Sequence, residues 1–361
     1  MDISKIDKNF KEQSVAACDG KATYAIPSKY FSLYGVQYDE KEKCFVRMPL
    51  AVAATVNEGV AYLSRHTAGG RLCFATDSTL FEITVTYNGL EMMKHMPLTG
   101  SSGFSLFEIT ATGEKFISNL APFPNAMEGY TSAVKLMGGE MREYVLYFPL
   151  YNNVRSLSIT LDENATIKQG KPYRAIAPIL YYGSSITQGG CASRPDNAYQ
   201  ALICKRNNID FINLGFSGSA KAEKMMVEYL SALDCSLFVC DYDHNAPSAE
   251  YLEKTHYALY EEYRKGRPNT PILFISKPDI TGDDEGEKRE KIIFTTYQKA
   301  KRQGDKNVYF LSGKSFYGKR DRWDFAVDGG HPTDYGFAVM AEKIYKKMLT
   351  IDRKFGGKKY D

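Results

Sequence analysis

Two short segments of this chain hold the residue types of a nucleophile and its base. In Gly183-Ser184-Ser185-Ile186-Thr187-Gln188-Gly189-Gly190, a serine pair follows an apolar run. A serine on a strand-to-helix turn exposes its hydroxyl near the positive end of the helix that follows. The segment lacks the lysine of a G-x-x-x-x-G-K-[ST] phosphate loop, and threonine at 187 departs from a G-x-S-x-G elbow. Taken alone, it also reads as an ordinary structural turn. The second segment, Asp328-Gly329-Gly330-His331-Pro332-Thr333, precedes a helical pattern. A base needs its tautomer fixed by a carboxylate on the other ring nitrogen, and an aspartate three residues before a histidine can supply it. The other reading is a helix entry, with Thr333 as N-cap and Asp328 as a turn residue.

Two further segments carry hydrogen-bond donors. Acyl transfer needs donors aimed at the oxyanion that develops on the attacked carbonyl. Asn213-Leu214-Gly215-Phe216-Ser217-Gly218 offers glycine N–H groups, and Asp241-Tyr242-Asp243-His244-Asn245-Ala246 offers an asparagine amide. Phe216-Ser217-Gly218-Ser219 could equally be a plain turn, and Asn245 an N-cap-like residue before Pro247. His244 could contact substrate or simply bond Asp241 or Asp243. Those three residues could suggest a metal site, but one extended turn supplies few convergent ligands, so no metal is expected. Trp323 could stack on a sugar ring or anchor its loop. Arg194, Asp196 and Asn197 could line a pocket, or Asp196 could cap a helix starting near Ala198. His66, His95 and His256 have no partner pattern and read as surface or structural residues.

These segments must be positioned by regular elements, and the period of the chain changes near residue 175. Before it, alternating strands such as Leu80–Tyr87, Leu106–Ala111, Tyr144–Phe148 and Leu157–Leu161 are separated by turn clusters. That pattern predicts an all-β sandwich or jelly roll over residues 1–174, with no convincing amphipathic helix. After a polar stretch at 162–178, apolar runs at Ile179–Tyr182, Phe211–Leu214, Leu237–Cys240, Ile272–Ile275 and Val308–Leu311 alternate with helical patterns. The helices are expected near Ala198–Arg206, Ala220–Leu233, Ala249–Arg264, Arg289–Arg302 and Asp334–Leu349. Repeated βα units predict an α/β fold over residues 175–361, built on a doubly wound five-stranded parallel sheet. Ligands then sit at the carboxyl ends of the strands, where all four segments fall.

Composition bounds the partners. The 361 residues are 43% apolar and 25% charged, with a formal charge of +3. The basic pairs Lys346-Lys347 and Lys358-Lys359 are too short for a nucleic-acid surface. Residues 1–13 carry charges and no apolar h-region, and no run approaches the length of a membrane span. Seven widely spaced cysteines form neither a disulfide framework nor a zinc pattern. A cytoplasmic protein without cofactor, nucleic-acid partner or membrane partner is expected, and self-association stays open.

Glycine-serine after strand one, N-x-x-x-S-G after strand two, asparagine after strand three and D-x-x-H before the last helix recur in this order in the SGNH, or GDSL-type, hydrolases. The chain resembles that family over about residues 176–350. The resemblance implies Ser185 as nucleophile and Asp328 with His331 as its base. It also implies an oxyanion hole of the Ser185 N–H, Gly218 and Asn245. Two departures stand out. The family's G-D-S is here Gly183-Ser184-Ser185, which keeps Ser184 as a second candidate nucleophile. The usual G-x-N-D is here Tyr242-Asp243-His244-Asn245, without its glycine. A β-sandwich before an SGNH domain resembles a subgroup that includes carbohydrate esterases and acyl-transfer enzymes. The implied function is serine esterase action on small acyl esters, acetylated sugars first, with His244, Asp243, Trp323 and Asn197 as candidate substrate contacts. Acyl transfer to an alcohol is the enzymatic alternative, and a vestigial site on a glycan- or partner-binding protein is the non-enzymatic one.

Overall fold

The computed structural model describes residues 20–278, 282–317 and 322–357. The charged opening at 1–13 and the pair Lys358-Lys359 lie outside the described residues. The described residues open with β1 (Lys21–Ile26), β2 (Ser32–Tyr34), β3 (Gln37–Asp39) and β4 (Cys44–Val46), then helices α1 (Leu50–Val56) and α2 (Glu58–Leu63). Next come β5 (Arg71–Thr76), β6 (Leu80–Tyr87), the single turn α3 (Leu98–Ser101), β7 (Phe104–Thr110) and β8 (Gly113–Leu120). Strands β9 (Gly129–Lys135), β10 (Arg142–Tyr147), β11 (Val154–Asp162) and β12 (Ile167–Gln169) complete this part. It forms two large antiparallel sheets, ordered β1-β11-β6-β9 and β12-β5-β10-β7-β8, with β2 also on β5, and a two-stranded β3-β4 pair.

Alternation explains how these sheets pack. Phe74, Leu106, Tyr144 and Leu146 face Phe81, Ile83 and Ile159 of the opposite sheet in one core. Cys73, Val145 and Tyr147, one residue out of phase, point the other way into a second core shared with the following α/β elements. The larger sheet is thus buried on both faces, which is why β5 is buried at every position.

From residue 179 the chain alternates β13 (Ile179–Gly183), α4 (Ser185–Gln188), α5 (Tyr199–Asn207), β14 (Phe211–Gly215), α6 (Lys224–Ala232), β15 (Leu237–Asp241), α7 (Ala249–Gly266), β16 (Ile272–Ile275), α8 (Asp284–Arg302), β17 (Val308–Leu311) and α9 (Asp334–Ile351). The five strands pair in parallel in the order β14-β13-β15-β16-β17. Ile179, Tyr181, Leu237, Val239, Leu273 and Ile275 pack with α5 and α9. Leu180, Tyr182, Phe238, Cys240, Ile272 and Phe274 pack with α6, α7 and α8. Burial on both faces is what makes these strands read as continuous apolar runs.

The expected α/β sheet and β-rich first part are both present, with three local differences. The first part is not helix-free: α1 and α2 place Ala53, Val60 and Leu63 in the core beside Leu180 and Met226. At seven and six residues they are shorter than the window in which a helical period can be read. Helix α6 starts at Lys224, not Ala220, because Ala222 has a left-handed φ of 57°. Helix α8 starts five residues before Arg289, capped by Asp283, whose side chain accepts from Gly286 N at 3.0 Å. Its charged first turn carries no apolar period. Among the described residues, no helix is long and apolar enough to cross a membrane.

Strand β14 is an edge of the parallel sheet, so Phe211, Asn213 and Gly215 direct their backbone groups away from β13. Two arginines from the first part of the chain cover them. Arg71, fully buried, donates to Phe211 O at 2.7 Å and Asp210 Oδ1 at 2.9 Å. Arg47 donates to Asn213 O at 3.1 Å and to Gly215 O at 2.6 Å. Replacing Arg71 by Met should leave the Phe211 carbonyl and Asp210 without their donor and cost on the order of 2–3 kcal/mol. Urea unfolding of the purified variant measures this, and a change under about 0.5 kcal/mol would show that water replaces the guanidinium there.

Candidate active site

Strand β13 ends at Gly183, and α4 begins two residues later. A Cβ on Gly183 would run into the Asp241 carboxylate and the Thr187 hydroxyl, so the strand can end this close to β15 only as glycine. Ser184 caps α4, its hydroxyl accepting from Ile186 N at 3.1 Å, and is fully buried. Ser185 is the serine that reaches the base: its Oγ lies 2.8 Å from His331 Nε2. His331 Nδ1 lies 2.8 Å from Asp328 Oδ2. The other Asp328 oxygen accepts from the backbone N–H groups of His331 at 2.8 Å and Gly330 at 3.1 Å. Partial burial would raise the Asp328 pKa, but those N–H groups and the imidazole outweigh it and bring it down to about 2. An ionised carboxylate only accepts, so Nδ1 carries the proton and Nε2 offers its lone pair to the Ser185 hydroxyl. Both readings of the last segment hold together, because Thr333 also caps α9 by accepting from Gly336 N at 3.2 Å.

Beside the serine run the turns that follow β14 and β15. Gly218 has a left-handed φ of 66°, and nothing lies within 4 Å of where its Cβ would be. The loop before it is held from three sides. Asn213 Oδ1 accepts from Gly215 N at 2.9 Å, Gln188 Oε1 accepts from Ser217 N at 3.0 Å, and Asn245 Nδ2 donates to Phe216 O at 2.9 Å. Asn245 keeps a second amide hydrogen free of that bond. Ser185, Gly218, Asn245, His244, Asp328 and His331 line one open cleft of about 540 Å³, together with Lys277, Ser217, Gly329, Gly330 and Ile186. Ile186 is the one aliphatic side chain among these described lining residues.

The proposed substrate contacts separate. His244 lines the cleft, with Nδ1 on Asp243 Oδ1 at 3.0 Å. Asp243 itself is buried beneath it and also accepts from Lys277 N at 3.0 Å, so it orients neighbours and does not line the cleft. Asn197 does not line it either: its amide goes to Ser193 Oγ, and its carbonyl accepts from Arg194. Trp323 is 72% exposed on a short turn, against the Arg322 guanidinium, and is also absent from the cleft wall. Asp196 does not cap α5; it is buried between Lys205 at 2.7 Å and Arg194 at 3.2 Å. Asp241 turns toward Thr187 and Tyr199 while Asp243 turns toward His244, so the three residues weighed as metal ligands do not converge.

Several contributors come from the first part of the chain and had no motif to betray them. The Tyr151 hydroxyl donates to Ser185 O at 3.3 Å, and the His95 ring lies 6.0 Å from that of His331. Gln188 lay inside the nucleophile segment, three residues past Ser185, where helical spacing could have flagged it.

A five-stranded parallel sheet with a serine after its first strand, bonded to a histidine–aspartate pair before its last helix, is the layout of an SGNH-type hydrolase. Residues 177–350 match the family model described as GDSL-like lipase/acylhydrolase, and residues 23–167 match the one for the N-terminus of SGNH-hydrolase-type esterases. The chain belongs to the SGNH/GDSL hydrolases. Among solved structures it is similar to a protein described as a GDSL-like lipase from Bacteroides ovatus, with 26% identity, TM-score 0.84, and 92% of this chain and 98% of that one covered. The salicylyl-acyltransferase SsfX3 of a tetracycline biosynthetic pathway shares 16% identity, TM-score 0.76, over 93% and 98% of the two chains. An acetyl xylan esterase from the rumen bacterium Butyrivibrio proteoclasticus shares 12%, TM-score 0.61, over 94% and 100%. The last two are likenesses of fold. A search of curated proteins found no match.

Asp241 gives the site a pH signature. Burial pushes its carboxyl up to about 8, offset in part by hydrogen bonds from Thr187, Ser184 N and Tyr199. The folded state then holds a proton that the unfolded chain releases near pH 4, so stability falls as pH rises from about 4 to 8. Asp241→Asn keeps the packing without the titration and should flatten that decline. Thermal melts of both proteins across pH 5 to 9 check it; parallel curves would show that Asp241 is ionised in the fold.

Proposed function

We propose that the chain is a serine esterase that removes small acyl groups, acetyl first, from a carbohydrate or oligosaccharide. The observation that carries this reading is the pair of 2.8 Å contacts linking Ser185 Oγ, His331 and Asp328. His331 takes the Ser185 proton as the hydroxyl attacks the ester carbonyl, and Asp328 stabilises the imidazolium that forms. The oxyanion is held by the N–H groups of Ser185 and Gly218 and by the free Asn245 amide hydrogen. His331 returns the proton to the leaving alcohol, and water repeats the sequence on the acyl-enzyme. A short acyl group and a polar alcohol are supported by the cleft wall, where the side chains of the described lining residues are polar apart from Ile186. Fold likeness to family 2 carbohydrate esterases, one solved with cellohexaose, is consistent with a sugar alcohol. Trp323 has no part in this version. The preformed serine–histidine–aspartate chain weighs against a vestigial binding protein. A reducing, cytoplasmic setting is supported by the free, buried cysteines 44, 73, 191, 204, 235 and 240.

Acyl transfer shares every step up to the acyl-enzyme, and the likeness to the salicylyl-acyltransferase keeps it as the second reading. Adding alcohol acceptors to the assay separates the two by the ratio of transfer product to free acid.

Ser185→Ala should abolish turnover of 4-nitrophenyl acetate with the fold intact, whereas near-normal turnover would remove Ser185 from the chemistry. Asn245→Ala should lower kcat on the order of 10²–10³-fold with little change in KM, because the lost donor acts on the transition state. A raised KM at unchanged kcat would make Asn245 a binding residue instead.

For the substrate, acetyl esters should be cleaved far faster than octanoyl ones, with acetate released from acetylated xylo- or manno-oligosaccharides. Preference for long acyl chains, with no acetate from any sugar, would leave an esterase of another substrate class.

A further inference from the structure

Arg47 sits between β4 and α1, is 5% exposed, and among the described residues is paired with no carboxylate. Its partners are backbone carbonyls. Nε donates to His66 O at 2.7 Å and Nη2 to Leu63 O at 2.6 Å, which fixes the guanidinium to the end of α2 and the turn behind it. Nη1 donates to Asn213 O and Gly215 O at the end of β14, and the guanidinium lies over the Phe216 ring, 4.7 Å from its centroid. Phe216 is the next link: its carbonyl accepts the Asn245 amide at 2.9 Å, and two residues on is Gly218.

A buried cation bonded only to carbonyls is costly to install, since each bond must offset part of the charge's desolvation. Burial does pull the Arg47 pKa down to about 9, which still leaves it charged at neutral pH. For edge-strand carbonyls alone, neutral donors would do. What a planar guanidinium adds is a fixed fork: Nε and Nη2 hold it to the end of α2 and the turn behind it, while Nη1 meets both outward carbonyls and the plane covers one ring.

We propose that Arg47 is a positioning residue for the oxyanion hole: by clamping Gly215 and Phe216 it sets where the Gly218 N–H and the Asn245 amide point. The β-rich first part of the chain is then a component of the catalytic apparatus, not only a neighbour that could dock glycan. This rests on Gly218 and Asn245 being the oxyanion donors.

The test uses the full chain and the substitutions Arg47→Lys and Arg47→Met, alone and combined with Asn245→Ala. Lysine keeps the charge but cannot present the fork. Both single variants, checked for folding by near-ultraviolet circular dichroism, should lose on the order of 10–10²-fold in kcat on 4-nitrophenyl acetate, with KM within about threefold. A merely structural role predicts multiplicative losses in the double variants. Positioning predicts that adding an Arg47 substitution to Asn245→Ala costs much less than it does in wild type. If neither Arg47 variant folds, Phe216→Leu, which removes the ring beneath the guanidinium and keeps apolar volume, enters the same cycle with the same expected sign. A folded Arg47 variant with kcat within twofold of wild type, or an additive cycle for whichever variant folds, would overturn the proposal. Wild-type kcat in Asn245→Ala alone would instead overturn the oxyanion reading beneath it.

Discussion

A parallel sheet that ends on an unpaired strand must satisfy the backbone groups on that strand's outer edge, and here the edge strand also delivers a loop that lines the candidate site. Strand β14 carries Gly215–Gly218 at its carboxyl end, and its outward carbonyls at 211, 213 and 215 would otherwise need water or a sixth strand. Arg71 and Arg47 take that place from the other part of the chain. The consequence is that buried hydrogen bonds join the two parts of the chain beside the candidate site. It also explains why Gly69 and Gly70 precede Arg71: a Cβ at 69 would press into the Asn213 side chain, and one at 70 into Phe148.

Strand order does the rest of the positioning. Because β13 lies between β14 and β15, the turns after three successive strands open side by side. Gly183, Gly215 and Asp241 stand in register, so one layer of the sheet supports the Ser185 turn, the Gly218 loop and the Asn245 turn together. His331 arrives from the loop before α9, and that helix packs through Phe337, Met340 and Ile344 into the same core as Tyr181 and Tyr199. The imidazole is therefore held by tertiary packing on one side and by its own Asp328 loop on the other.

The parts of this arrangement that were legible in the sequence are those with a local signature. Buried strands announce themselves as apolar runs, and β16 and β17 were bounded to the residue. The serine turn, the D-x-x-H loop and the asparagine stood out because their chemistry depends on residue type. Arg47 did not, because its partners are backbone carbonyls, which no side-chain pattern reports. Tyr151 and His95 come from loops of a part whose pattern speaks only of strands. Asp243 looked like a contact residue because it neighbours His244 in sequence, yet its 3.0 Å bonds to His244 and Lys277 N turn it inward. Trp323 failed for the opposite reason: sharing a loop with His331 does not give it the same direction.

The serine where the family has aspartate, at 184, follows from the same local geometry. Position 184 caps α4, and serine and aspartate are nearly equivalent caps, since either offers an oxygen to the N–H two residues on. They differ in charge. Ser184 is fully buried, and its N–H lies 3.4 Å from Asp241 Oδ1. An aspartate there would set a second carboxyl in the same dry pocket, where Asp241 already favours its protonated form. A second carboxyl in that pocket would favour its own protonated form, which weakens it as a cap acceptor, and would raise the Asp241 pKa further. Serine keeps the hydrogen bond that starts the helix and leaves Asp241 to hold the turn through Thr187, Tyr199 and the Ser184 N–H. In this chain the Ser185 turn is therefore built around the buried carboxyl of Asp241, supplied by the neighbouring strand and not by residue 184.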